Sequence, residues 1–105
     1  MVKKTWGTEL WFENNDLYCG KLLTVVKGEC SSKGKYHYHI NKDETFFVID
    51  GVLILDILGE DSKRLNPMDS YRIEPGVHHR FTTEDTECRF IEVSTHHEDS
   101  DSYRV

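Results

Sequence analysis

The chain has 105 residues, of which 37% are hydrophobic and 30% are charged, a balance typical of one soluble globular domain and not of a disordered tract. Nineteen Asp and Glu against 13 Lys and Arg leave a formal net charge of −6, which argues against binding to a nucleic-acid backbone. No apolar stretch approaches the roughly 20 residues that cross a bilayer, and the N-terminal segment lacks an apolar run of signal-peptide length. We therefore expect one domain over residues 1–105, with neither nucleic acid nor a membrane as a partner.

Short runs rich in β-branched and aromatic residues follow one another along the chain, and none sustains a helical spacing of apolar residues. This pattern predicts strands over residues 9–12, 18–27, 36–40, 45–49, 52–58, 63–65, 70–73, 79–83 and 87–94. Asp50-Gly51, between two apolar runs, predicts a two-residue hairpin, because glycine supplies the positive φ of such a turn. Many short strands at this spacing predict an all-β antiparallel sandwich or small barrel.

The last segment, residues 94–105, is acidic and rich in serine, and we expect it to be a flexible tail. Its His96-His97 pair is predicted to face solvent, because adjacent residues cannot share one face of a strand. The three cysteines of the chain are odd in number and have no CxxC spacing. They indicate reduced thiols and therefore a cytoplasmic location.

Three histidines and a glutamate form the most informative pattern in the sequence. His37 and His39 are two residues apart on a predicted strand, so both imidazoles lie on the same face. Glu44 begins the next strand, and the Pro75-Gly76 turn precedes His79 at the start of another. Three imidazoles and one carboxylate suit a single divalent transition metal, whether Zn, Fe, Mn, Ni, Co or Cu.

At these positions the chain resembles the cupin superfamily, whose first motif is G-x5-H-x-H-x4-E-x6-G. His37, His39, Glu44 and Gly51 fill that motif, while Ser31 stands at the position of its leading glycine. The family's second motif, G-x5-P-x-G-x2-H-x3-N, is matched in part by the Pro75-Gly76 turn and His79, with Glu74 in place of the usual proline. The resemblance implies a double-stranded β-helix, the jelly-roll barrel of cupins, which holds one metal through His37, His39, Glu44 and His79.

Several segments are similar to small stand-alone cupins related to the isomerase domain of type II phosphomannose isomerases. They lie at residues 6–12, 18–22, 37–39, 43–46, 75–77 and 91–95. That isomerase domain commonly has Gln at the first ligand position, where this chain has His37. The resemblance implies metal-assisted chemistry on a sugar or sugar phosphate.

Other side chains are candidates for the substrate pocket because of their parity on the predicted strands or their chemistry. Lys21 is a candidate to bind a phosphate or carboxylate, and Glu92, like Glu44, is a candidate catalytic carboxylate. The candidate pocket-lining side chains are Trp6, Tyr18, Lys35, Phe46 and Phe81. Ordinary packing or solvation is the alternative for each of these residues.

Three functions remain open from the sequence. The first is an isomerase or epimerase of a small sugar or sugar phosphate, in which a metal polarises a carbonyl and a side chain moves a proton. The second is an Fe(II)-dependent dioxygenase of a small molecule, and the third is a non-catalytic, metal-dependent binding module. We also expect a homodimer formed through the apolar segment at residues 6–12, because an exposed strand edge tends to be covered.

Overall fold

Eleven β-strands account for most of the chain in a computed structural model that describes all residues, 1–105. The strands are β1 (Val2–Lys4), β2 (Gly7–Asn14), β3 (Cys19–Val25), β4 (His37–Tyr38), β5 (Glu44–Asp50), β6 (Leu53–Ile57), β7 (Lys63–Leu65), β8 (Ser70–Ile73), β9 (His79–Thr83), β10 (Cys88–Ser94) and β11 (Tyr103–Arg104). Two short 3₁₀ segments, Ser31–Gly34 and Asp99–Asp101, interrupt the connections. No helix has the length and apolar character that crossing a bilayer requires.

The strands form two antiparallel sheets that face each other. One has the order β1-β2-β3-β10-β5-β8, and the other has the order β11-β4-β9-β6-β7. All nine strands expected from the sequence are present, and β7, β8 and β9 have the predicted bounds. The two strands that the sequence did not predict, β1 and β11, are short and charged, so they lack the apolar alternation that identifies a half-buried strand. The all-β jelly-roll architecture is therefore confirmed.

The hairpin predicted at Asp50-Gly51 is wrong, because β5 and β6 belong to different sheets and do not pair. The chain does turn there, and Gly51 has a φ of 75°. A Cβ atom at this position would lie 2.3 Å from the carbonyl oxygen of Glu87. Glycine is therefore needed here because the chain turns tightly as it passes from one sheet to the other. The Asp-Gly sequence is the same as that of a hairpin turn, so the local sequence does not distinguish the two.

The inward-facing positions change from apolar to ionisable along the barrel. On β10 the buried Phe90 is followed two residues later by the buried Glu92, and on β5 the buried Phe46 is preceded by the buried Glu44. The strands β3 and β9 change in the same way, from Leu23 to Lys21 and from Phe81 to His79. Because neighbouring strands are antiparallel and in register, the ionisable residues meet at one end of the barrel.

The opposite end is a conventional apolar core. Phe46, Phe81 and Phe90 pack together, with ring centroids 4.7 to 6.0 Å apart, and Trp6 meets the Phe81 ring edge-on at 5.0 Å. Burying each such side chain contributes on the order of 2 kcal/mol relative to leaving it exposed. This aromatic cluster is the floor on which the ionisable residues lie.

Candidate functional site

A cavity of about 240 Å³ occupies the ionisable end of the barrel. Only four of its 18 lining residues are hydrophobic, and these are Trp6, Leu23, Phe46 and Phe81. Small-molecule pockets are usually lined mainly by apolar side chains, with a few polar groups that fix orientation. The polar lining therefore favours a small ligand that is rich in hydrogen-bonding groups.

Three imidazoles converge in this part of the barrel. His37 on β4 lies directly opposite His79 on β9, and His39 follows two residues after His37. One ring nitrogen from each of the three lies within 4.8 Å of the others. The grouping depends on the pairing of β4 with β9, which brings together residues 42 positions apart in the sequence.

Hydrogen bonds on the outer nitrogens orient the rings. His39 Nδ1 donates to the carbonyl oxygen of Asp101 at 2.9 Å, and His79 Nδ1 donates to that of Val77 at 2.9 Å. The Nδ1 of His37 lies 3.5 Å from the hydroxyl of Ser32. When Nδ1 of a neutral imidazole carries the proton, Nε2 presents a lone pair, which is the arrangement that metal-binding histidines adopt.

Glu44 completes the group from the neighbouring sheet. Its Oε2 lies 3.2 Å from His39 Nε2, and its Oε1 lies 3.8 Å from His79 Nε2. Glu44 Oε2 and His79 Nε2 are both buried without any hydrogen-bond partner. Buried polar atoms without a partner are costly, and here lone pairs of nitrogen and oxygen face one another. A cation placed among them would satisfy both atoms, so the residues present fit a divalent metal.

The protonation states also suit metal ligands. Burial, reinforced by the neighbouring His79 ring, lowers the pKa of His37 to about 2. Burial likewise lowers the pKa of His79. Burial raises the pKa of Glu44, but His39 and the Lys42 ammonium outweigh it, so this pKa lies below its usual range. At neutral pH, His37 and His79 are therefore neutral and Glu44 is ionised, the forms that bind a metal.

A lysine in the turn before β5 lies beside this group. Lys42 is 4% exposed, and its ammonium lies 3.5 Å from Glu44 Oε2 and 3.1 Å from Glu92 Oε2. It also lies 3.0 Å from Nδ1 of His97. Burial lowers the pKa of Lys42, but Glu92 and Glu44 outweigh it and raise the pKa above its usual value. No local pattern identified Lys42, because it lies in the turn before β5 and strand parity does not apply there.

The two other catalytic candidates also line the cavity. Glu92 is buried, and burial together with the nearby Glu44 raises its pKa. Lys21 lies opposite Glu92 in the pairing of β3 with β10, and its ammonium is 3.5 Å from Glu9 Oε1 and 4.3 Å from the centre of the Trp11 ring. Glu9 balances the charge of Lys21, whereas Glu44 and Glu92 share the single ammonium of Lys42. The excess negative charge therefore lies on the pair Glu44 and Glu92.

The candidate pocket-lining side chains separate into two groups. Trp6, Phe46 and Phe81 line the cavity. Lys35 is exposed and lines an adjoining cavity instead. Tyr18 is 55% exposed and lines neither, because β3 begins only at Cys19 and the preceding turn directs residue 18 to the surface. Tyr18 is therefore not part of the pocket, contrary to the prediction.

The tail expected to be flexible is folded against the site. Residues 103–104 form β11 on the edge of β4, and Asp101 is buried. The Asp101 carboxylate accepts hydrogen bonds from the backbone amides of Ile40, Asn41 and Lys42 at 2.8 to 3.1 Å. His97, expected to be solvated, lines the cavity, and its side chain is only 9% exposed. Backbone hydrogen bonds to a distant loop therefore override the polar composition of this segment.

Comparisons with known proteins agree with this architecture. The family model described as "Cupin domain" matches residues 21–94, which is more than two thirds of the chain. KdgF from Halomonas sp. superposes with a TM-score of 0.82 at 16% identity, over 95% of this chain and 87% of that one. A sugar phosphate isomerase of the cupin superfamily from Silicibacter pomeroyi DSS-3 gives a TM-score of 0.68 at 21% identity, over 85% and 67% of the two chains.

The DMSP lyase DddQ from Ruegeria pomeroyi DSS-3 also shares the fold, with a TM-score of 0.73 at 18% identity over 85% of this chain and 43% of that one. No curated protein matches the chain. At these identities the structural likenesses establish the fold alone, whereas the family match covers both histidine positions of β4 and its loop, the glutamate of β5 and the histidine of β9. The chain belongs to the cupin domain family.

Proposed function

We propose that this cupin is a metal-dependent isomerase or epimerase that acts on a small sugar or sugar phosphate. The observation that carries the proposal is the position of Glu92 and Lys42 in the same polar cavity as the histidine group. An isomerase needs a site that binds vicinal oxygens and a side chain that moves a proton between adjacent carbons. The similarity in fold to a sugar phosphate isomerase supports the proposal.

His37, His39, Glu44 and His79 would hold one divalent transition metal. Such an ion supplies Lewis-acid polarisation of a carbonyl and its adjacent hydroxyl. The four side chains come from both sheets, so the closed barrel fixes their positions before a ligand arrives. Val77 and Asp101 hold the rings of His79 and His39 in place through their carbonyl oxygens. The same ligand set accepts Zn, Fe, Mn, Ni, Co or Cu.

Glu92 is the proton-transfer group in this proposal. Its carboxylate is buried in the cavity, and its raised pKa brings it closer to neutrality, where a general base works best. Lys42 donates to Glu92 Oε2 and keeps that oxygen in place. The other carboxylate oxygen, Oε1, makes no hydrogen bond to a side chain and is available to a substrate proton.

Proton exchange at carbon tests this proposal. Purified protein loaded separately with Zn, Mn, Fe and Co is incubated in D₂O with a panel of aldose and ketose phosphates, and exchange at C2 is followed by NMR. We expect Glu92→Gln to lower the exchange rate by about 100- to 10,000-fold at unchanged metal content. The matched control is Glu87→Gln, at an exposed position just before the same strand.

Elemental analysis tests the metal site separately. His79→Ala should abolish stoichiometric metal, whereas wild type and Glu92→Gln should retain one ion per chain. Native protein that binds no transition metal, or exchange that is unaffected by Glu92→Gln, would contradict the proposal.

The two other functions predicted from the sequence give different results in the same preparations. A dioxygenase consumes oxygen only with Fe(II), and the aromatic wall of Phe46 and Phe81 is the feature that suits it. A binding module shows ligand-dependent thermal stabilisation with no exchange or oxygen uptake. The predominantly polar lining of the cavity favours a hydroxylated substrate, and therefore the isomerase.

A further inference from the structure

Most cations of this acidic protein have an acidic partner. Eight of the 13 Lys and Arg side chains lie within 4.0 Å of a carboxylate oxygen. The remaining five have no carboxylate within that distance, and these are Lys3, Lys27, Lys33, Lys35 and Arg104. With 19 acidic residues in the chain, the absence of a partner is the exception and not the rule.

Four of those five unpaired cations line a single cavity of about 440 Å³. Lys3, Lys33, Lys35 and Arg104 are joined there by Lys4, whose nearest carboxylate is 4.0 Å away. No acidic side chain lines this cavity. We call these five cations the basic mouth. Like charges that share a concave surface repel one another, and they create a positive potential that concentrates anions.

The basic mouth adjoins the cavity that contains the histidine group. Lys4, Trp6, Ser32 and Arg104 line both cavities. Ser32 also lies 3.5 Å from His37 Nδ1, and Arg104 on β11 lies directly opposite His37 on β4. A molecule that extends from the inner cavity past these shared residues would therefore reach the cations of the basic mouth.

The loop that carries Lys33 adopts an unusual backbone. Ser32 and Lys33 both have positive φ values, of 52° and 54°, although neither is glycine. Ser31, at the start of the same segment, is buried and accepts a hydrogen bond from the amide of Phe81 at 2.9 Å. The segment is thus tied to β9, and Lys33 is held at the mouth of the cavity.

We propose that the basic mouth binds the anionic group, a phosphate or a carboxylate, of the small substrate whose other end occupies the inner cavity. This inference rests on the proposed function, since it names the class of substrate for the same site. It predicts a preference for an anionic sugar derivative over the neutral sugar. Lysine and arginine donors bind both phosphate and carboxylate oxygens, and the experiment distinguishes the two groups.

The test uses chelator-treated protein, so that anions cannot bind to a metal. Inorganic phosphate is titrated at constant ionic strength, with chloride as the balancing anion, and binding is followed by amide and indole NMR shifts. We expect saturable shifts confined to residues 3–6, 32–35 and 104. Parallel titrations with glycerol 3-phosphate and with glycerate show which anionic group binds more tightly, and either preference supports the proposal.

Charge-reversal variants provide the matched comparison. The double variant Lys33→Glu/Lys35→Glu should weaken phosphate binding by about tenfold or more, since four units of charge change at the mouth. Lys27→Glu is the control, because Lys27 is also exposed and unpaired but lies outside the basic mouth. All three positions are exposed, so both variants should retain the melting temperature of wild type within a few degrees.

Two results overturn the inference: phosphate shifts that do not saturate beyond the chloride control, or a double variant that binds phosphate as tightly as Lys27→Glu. Neither result depends on turnover. Absence of metal or of C2 proton exchange would remove the proposed function while leaving measured anion binding intact. Conversely, a metal-loaded, active protein that fails this titration removes only the inference.

Discussion

Asp101 gives the sharpest test of how the C-terminal segment supports the site. Its carboxylate accepts hydrogen bonds from three consecutive backbone amides, and its own carbonyl oxygen accepts one from His39 Nδ1. The residue is 8% exposed, so water cannot replace the carboxylate freely. Replacing Asp101 therefore affects both the stability of the barrel and the position of a metal ligand.

The magnitude follows from these contacts. A hydrogen bond to a charged group contributes about 1.5–3 kcal/mol, and three that share one carboxylate do not add fully, so we expect Asp101→Ala to cost about 3 kcal/mol. A loss of this size lowers the melting temperature of a domain this small by about 10–20 °C. Asp101→Asn should cost less, because its amide oxygen still accepts, although its NH₂ group opposes a backbone donor.

The assay is urea unfolding of metal-free protein, together with metal titration of the folded state. Because His39 loses an anchored partner when the segment detaches, metal affinity should fall by about 10- to 100-fold in Asp101→Ala. Burial raises the pKa of Asp101, but the three amide hydrogen bonds outweigh it, so its folded-state pKa lies below the unfolded value. The stabilisation is therefore present at neutral pH and is lost as the pH falls below about 4.

Glu98→Ala is the matched control, since Glu98 is an exposed carboxylate in the same segment. It should unfold within about 0.5 kcal/mol of wild type. If Asp101→Ala is as stable as Glu98→Ala and binds metal equally well, the segment does not support the site and the reasoning is refuted.

Three further outcomes are expected. Metal-free protein should lose at least about 1.4 kcal/mol between pH 7.5 and 5.5, because unfolding lets His37 take up a proton that its lowered folded-state pKa excludes, and the lowered pKa of His79 adds to this loss. A flat stability profile over this range would contradict those protonation states. Lys42→Met should destabilise metal-free protein by about 3–5 kcal/mol in urea unfolding, because it leaves two buried carboxylates without their cation. A cost below about 1 kcal/mol would contradict the role of Lys42 as the cation that balances them. The homodimer remains a prediction, and Leu10, which is 40% exposed on the outer face of the larger sheet, lies in the expected interface. Leu10→Glu should therefore convert a dimer into a monomer, as measured by gel filtration with light scattering. A wild-type monomer at micromolar concentration would contradict the prediction.

The metal-ligand candidates were predictable because each depends on local geometry. His37 and His39 share a face through the two-residue period of a strand, and a recognisable turn precedes both Glu44 and His79. The inward positions of Phe46, Phe81 and Glu92 follow from the same alternation. Tyr18 failed as a pocket residue because it was chosen for its aromatic chemistry alone. It has the opposite parity to the inward-facing Lys21, and β3 begins only at Cys19.

Residues that look similar in the sequence are distinguished by contacts that form only when the chain folds. Lys27 and Lys35 look alike in the sequence, yet only Lys35 reaches the basic mouth. In the sequence, Asp101 is one of several acids in a polar tail. It accepts backbone hydrogen bonds only because the chain folds back onto the loop after β4, about 60 residues earlier.

Nine of the eleven strands could be predicted from the sequence, together with the inward faces and the three imidazoles and carboxylate suited to a metal, because backbone periodicity and side-chain chemistry are local properties. The folded structure was needed to establish which strands pair, where Asp50-Gly51 leads the chain, and which charges are neutralised. Those outcomes depend on long-range hydrogen bonding and burial, which couple residues that no local pattern connects.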